Sequence, residues 1–178
     1  MRKTLLAVGT GIFAVLLVAN MACSSSDDVT GSTGQLNVNL HDQAAPGIAE
    51  AHVTLSALEL RDANSGEWVV VDGNLLPVTV DLLLLVGGNE AQILADLVPA
   101  GDYDGMRITI SEVLVVLDDQ TQIQVPPPGA PVQVVGFPLM TIDEGGVVTV
   151  TLDFPVAPSF QVVAGPDVTF TPQITVDP

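Results

Sequence analysis

Val147-Val148-Thr149-Val150-Thr151-Leu152-Asp153-Phe154 places Val148, Val150, Leu152 and Phe154 two residues apart, with Thr149, Thr151 and Asp153 between them. Period two is the spacing of a strand with one apolar face. Gly145-Gly146 supplies the turn before it. The pattern recurs upstream. Leu36, Val38 and Leu40 alternate with Asn37 and Asn39; Val53, Leu55 and Ala57 alternate with Thr54 and Ser56. Leu58-Glu59-Leu60 continues the second of these strands after a bulge that shifts its alternation.

Further segments read the same way. Trp68 to Val71 is a strand between turns at Asn64-Ser65-Gly66 and Asp72-Gly73-Asn74. Val78 to Leu85 is too short to span a bilayer as a helix and predicts a strand followed by a short helical turn. Gln92 to Leu97 is a further short strand. After a turn at Pro99 to Asp102, the stretch Tyr103 to Ile110 puts Met106, Ile108 and Ile110 on one face. Val113 to Leu117 is a separate strand or the bulged continuation of that one. Asp118-Asp119 reverses the chain and Gln122 to Val125 returns; Pro126-Pro127-Pro128-Gly129 is a loop or blunted edge. Val132 to Val135 and Gln173 to Val176 complete the set. Short strands, frequent Gly/Pro/Asp turns and no long amphipathic helix imply an all-β domain, a sandwich or a small closed barrel. Short connections favour antiparallel pairing. The expectation adopted is an antiparallel β-sandwich with Greek-key connections over residues 34–178.

The N-terminal end has a different logic. Arg2 and Lys3 precede an apolar run that closes at Ala22-Cys23, the layout of an export signal. Cys23 is the only cysteine and cannot form an intrachain disulfide. Its position resembles the bacterial lipobox, in which the cysteine is acylated and becomes the mature N-terminus. The resemblance implies a signal peptide over 1–22, lipidation at Cys23 and a flexible tether over 23–33. It also implies an exported protein lipid-anchored in the cell envelope, at the outer membrane where the organism has one.

Cleavage before Cys23 leaves Arg61 and Arg107 against 21 acidic residues, a formal side-chain charge of −19. Such a surface repels phosphate backbones, which excludes nucleic acid as a partner, and it offers no basic face to anionic lipid. At 48% hydrophobic residues and a mean hydropathy of +0.51, the chain is nonetheless too apolar for a disordered acidic tail.

Leu36 to Leu40, Val78 to Leu85, Leu97 to Arg107 and Thr151 to Phe154 together resemble uncharacterised domain family 4382, found in prokaryotic envelope proteins and often in lipoproteins. The segment with most information is Pro99-Ala100-Gly101-Asp102-Tyr103-Asp104-Gly105-Met106-Arg107. The resemblance implies a transthyretin-like or immunoglobulin-like sandwich and brings no activity with it. Within that segment Pro99 pre-sets a turn, and Gly101 is expected to supply a positive φ. Tyr103 is expected to cap the core while its hydroxyl bonds a loop, and Arg107 to pair with a carboxylate.

Catalytic signatures are absent from the sequence. No serine sits in a G-x-S-x-G elbow, and no glycine loop cradles phosphate. One Trp and one Tyr are too few for a sugar-cleaving cleft. His41 and His52 read as ordinary surface histidines, although Asp42 beside His41 is placed to orient it or share a cation. Asp102, Asp104, Asp118, Asp119, Asp143 and Glu144 are turn carboxylates and the candidate ligands for weakly held structural calcium; no cofactor is expected to be required. The resulting expectation is a non-enzymatic, lipid-anchored binding or structural module with an envelope protein or glycan as partner. The rival is a metal-dependent hydrolase using surface carboxylates and His41.

Overall fold

The computed structural model describes residues 31–42, 45–163 and 167–177. The expected signal peptide, Cys23 and the tether up to residue 30 lie outside the described residues. Within them the strands are β1 (Thr33–His41), β2 (Ile48–Asp62), β3 (Trp68–Val71), β4 (Val78–Asp81), β5 (Ala91–Pro99), β6 (Gly101–Leu117), β7 (Gln122–Val125), β8 (Val132–Val135), β9 (Met140–Ile142), β10 (Val147–Asp153), β11 (Phe160–Val162), β12 (Val168–Phe170) and β13 (Ile174–Val176). A short 3-10 helix, Leu82–Leu85, follows β4, and a single helical turn, Val156–Ser159, follows β10. The first strand begins at Thr33, one residue before the expected domain start. Val78 to Leu85 is the predicted strand and helical turn, and Tyr103 to Leu117 is one strand.

Two long strands form the spine. The antiparallel partners β2 and β6 run side by side from Ile48↔Leu117 to Asp62↔Tyr103. Short strands line both flanks. On β2, β3 pairs with Leu58–Arg61 and β4 with His52–Leu55. On β6, β7, β8 and β9 pair in turn with Val113–Val116, Arg107–Ile108 and Gly101–Tyr103.

The sheet follows the order β3-β2-β6-β8-β13-β10-β1-β5, and β11–β12 is a separate two-stranded ribbon. The eight-strand path curls into a nearly closed barrel. Its ends meet where the Asn74 N–H donates to Asp96 Oδ2 at 3.2 Å. Beside this bond Gly73 lies against Leu94, whose Cδ1 an added Cβ would have to displace. The expected pair of packed sheets is therefore replaced by one continuous sheet. The reason is β13. It pairs with β8 through Ile174 and Thr175 and with β10 through Leu152 and Asp153, joining what would otherwise be two sheets. Pairing is largely antiparallel, but β1/β10 and β13/β8 are parallel.

The barrel interior is where the alternation points. Leu36, Val38, Leu40, Leu152 and Phe154 are fully buried, as are Leu58, Leu60, Met106 and Ile108 to within 1%. On β2 the register breaks on either side of Leu55, leaving Ser56 without a partner. That extra residue moves the inward set from Val53 and Leu55 to Leu58 and Leu60. Each such side chain contributes roughly 1.5–3 kcal/mol of burial. The opposite face of β2 and β6 collects the polar residues of the alternation.

Candidate metal centre

On the outer face of β2, Glu50 and His52 are two residues apart and so share a side of the sheet. Asp81 is directly opposite His52 across the β2/β4 ladder. One ligand atom from each of Glu50, His52 and Asp81 lies within 4.8 Å of the other two. His52 Nε2 is 2.7 Å from Glu50 Oε2. Asp81 also begins the 3-10 helix. Its Oδ1 accepts the N–H groups of Leu83 and Ala51, each at 3.1 Å, which fixes the carboxylate where β4 ends. The preference of aspartate for such capping positions explains why the acid stands here.

Of the three, His52 also lines a groove of about 310 Å³. Its walls are His52, Thr54, Thr79, Glu112, Leu114 and Gln124. Register places these residues in two rows. One runs Thr79–Thr54–Glu112, and the other Asp81–His52–Leu114–Gln124. The Thr54 and Thr79 hydroxyls are 2.8 Å apart. An imidazole, two carboxylates and a hydroxyl pair thus line one polar strip.

This arrangement corrects the expectation of a non-enzymatic domain. That expectation rested on few aromatics, the absence of a catalytic constellation and the lipid tether, whereas Glu50, His52 and Asp81 form a cluster capable of coordinating a metal ion. His52, read from the sequence as an ordinary surface histidine, stands in this cluster.

The residues singled out in the sequence are dispersed. His41 lies between Asp153, 3.8 Å from Nδ1, and Asp177, 3.4 Å from Nε2. Asp42 lies just past the end of β1. Asp42 is 4% exposed and its Oδ1 accepts the Val156 N–H at 2.8 Å. Asp102 accepts the Thr141 hydroxyl at 2.6 Å, and Asp104 takes Arg61 Nε at 2.7 Å. Asp118 and Asp119 sit in the β6–β7 turn, where the Thr121 N–H, 3.0 Å from Asp119, holds that carboxyl below the usual range. Asp143 and Glu144 are exposed in the β9–β10 turn. Among the described residues no three of the six calcium candidates bring their ligand atoms within 4.8 Å of one another.

The Pro99–Arg107 segment is a structural corner from β5 to β6. Tyr103 is buried and donates its hydroxyl to the Pro99 carbonyl at 2.8 Å. Burial, then the charge of Asp62, raises its pKa above the ordinary tyrosine value. Gly101 is not in the left-handed region, contrary to the expectation for that turn. Arg107 holds Glu59 bidentately at 2.6 and 2.7 Å, and this hydrogen bonding lowers the Glu59 pKa despite partial burial. No curated protein matches the chain. Residues 33–172 match the family described as domain of unknown function DUF4382, and the chain belongs to that family.

Proposed function

We propose that this is a divalent-cation-dependent domain of the cell envelope, with Glu50, His52 and Asp81 as the ligands. The observation that supports it is the approach of three ligand atoms to within 4.8 Å. In a tetrahedral site with bonds of about 2.1 Å, ligand atoms sit roughly 3.4 Å apart. The cluster therefore needs only small rotations of surface side chains, with the His52–Glu50 hydrogen bond exchanged for two metal bonds. One imidazole and two carboxylates suit zinc or manganese better than calcium.

Three protein ligands leave coordination positions for water or for an oxygen of a bound molecule. That favours metal-assisted hydrolysis as the activity class, the cation supplying Lewis acidity. Thr54, Thr79, Glu112 and Gln124 would then hold the substrate's polar groups along the groove. The hydrolase reading survives with His52 in the place first given to His41. Export by residues 1–22 and a lipid on Cys23 complete the proposal: the domain is held at a membrane by its N-terminus and meets an envelope protein or glycan.

The test is calorimetric titration of zinc, manganese and calcium into chelator-stripped full chain, alongside His52→Ala. One site is expected, weakened at least tenfold by the substitution. The stripped and loaded proteins are then compared on nitrophenyl ester and phosphodiester probes. Absence of binding at millimolar metal, or equal binding by His52→Ala, overturns the proposal.

A further inference from the structure

Among the described residues the only lysine or arginine side chains are Arg61 and Arg107, in a chain of formal charge −17. Both converge on Trp68, the chain's only tryptophan. The Arg107 guanidinium carbon lies 4.3 Å from the ring centroid, and that of Arg61 5.9 Å. Register explains the meeting, since Trp68 of β3 is opposite Arg61 of β2, and Arg61 is opposite Gly105 of β6. Gly105 leaves the space the ring occupies. A Cβ there would stand 3.3 Å from both Trp68 Cη2 and Arg61 Cβ.

The two arginines are not equivalent. Arg107 spends its Nε and Nη2 on Glu59. Arg61 donates only Nε, to Asp104, and its side chain is 42% exposed. Its two terminal amino groups have no acceptor among the described residues, so the end-on edge of the fork is unspent. Arg61 borders a cavity of about 220 Å³ whose walls include Trp68, Asp104, Gln133 and Phe137.

We infer that this cavity binds a hexuronate, a sugar ring bearing a single carboxylate. Two parallel N–H donors on a planar fork match a carboxylate better than any point charge would. The surrounding acidity selects against polyanions, while a single charge met at close range is screened from distant carboxylates beyond about 8 Å. The volume suits one ring. Asp104 and Gln133 offer an acceptor and an amide to its hydroxyls, and Trp68 and Phe137 offer apolar surface to its carbon face.

Trp68 is a built-in reporter. Its fluorescence is followed while the full chain is titrated with galacturonate, with galactose and with N-acetylphenylalanine, all at matched ionic strength. A saturable change is expected with galacturonate alone. Arg61→Gln should weaken it at least tenfold, while its far-ultraviolet circular dichroism and melting confirm folding. Arg61→Lys should recover part of the affinity. An equal response to galactose or to sodium chloride overturns the inference, as does unchanged binding by Arg61→Gln. Saturation by N-acetylphenylalanine in place of galacturonate overturns the sugar assignment.

Discussion

Gly34 and Gly101 are both strand glycines, and alanine at the two should have opposite effects. At Gly34 an added Cβ would collide with the Asp143 carbonyl oxygen, and would lie 2.6 Å from Ile142 Cγ2 and 3.1 Å from the Gly146 carbonyl. None of these neighbours yields easily. Two are backbone, and Ile142 is 1% exposed. The two segments are also clamped on either side of Gly34, by Gly145 N–H to Thr33 O and Gln35 N–H to Gly146 O, each 2.8 Å. Relief requires loosening that clamp, and each hydrogen bond is worth about 1 kcal/mol. Overpacking adds strain of roughly 1–3 kcal/mol. Gly34→Ala should therefore destabilise by about 2–4 kcal/mol, lowering Tm by roughly 4–16 °C at about 2–4 °C per kcal/mol. A Cβ on Gly101 meets nothing within 4 Å, and its φ is ordinary. Gly101→Ala should be neutral or stabilise by up to about 1 kcal/mol through the unfolded chain. Urea and thermal unfolding of both variants give the comparison. A Gly34→Ala shift under about 2 °C, or a Gly101→Ala loss as large as that of Gly34→Ala, would refute the packing argument.

Tyr103→Phe removes the hydrogen bond to Pro99 and should cost about 1 kcal/mol with the fold intact, read from the urea midpoint. Phe154→Ala empties a fully buried site that stacks on Phe170 at 6.3 Å and should cost about 3–5 kcal/mol by the same measurement. Because the Glu59 pKa is lowered by Arg107, its contribution is complete above the ordinary glutamate range and is lost as pH falls through the lowered value; Glu59→Gln should flatten that acid limb. Tyr103 has a raised pKa, so the folded state should lose stability as pH climbs from about 10 towards that raised value, and Tyr103→Phe should abolish this alkaline loss.

Strand existence was legible because one-sided burial leaves a period-two signature, as in Leu36/Val38/Leu40 and Val148/Val150/Leu152. The elements that escaped lack it. In β9, only Met140-Thr141-Ile142 alternates, too little to distinguish from a loop. In β11 and β12, Phe160 and Phe170 face each other at 4.5 Å across a ribbon of three paired residues, so the signal is a contact rather than a period. Barrel versus sandwich was equally hidden. It turns on the two-residue bridges made by β13, and no local pattern reports which strands such a short element joins.

The metal cluster shows where sequence reading stops. Glu50-Ala51-His52 carries a legible half, since alternate residues of a strand share a face. Asp81 is 29 positions further on, and only the register His52↔Asp81 brings it there. Adjacency was the weaker cue: Asp42 follows His41 directly and its buried carboxylate accepts the Val156 N–H, while His41 lies by Asp153 and Asp177. The same ladder accounts for the second site. Arg61 stands nine residues along β2 from His52, about 30 Å at roughly 3.3 Å per residue. Near the middle of that run, Ser56 on β2 and Ser111 on β6 are both skipped by the pairing. Those two bulges let the inner face stay apolar from end to end while the outer face presents histidine with acids at one end and arginines with tryptophan at the other. At that separation, substitutions in one site should leave the other's affinity unchanged, additivity holding beyond about 10 Å. His52→Ala should therefore leave the Trp68 titration as it was, and Arg61→Gln should leave metal binding as it was. Coupling in either direction would mean that the β2/β6 spine does not hold the two sites independently.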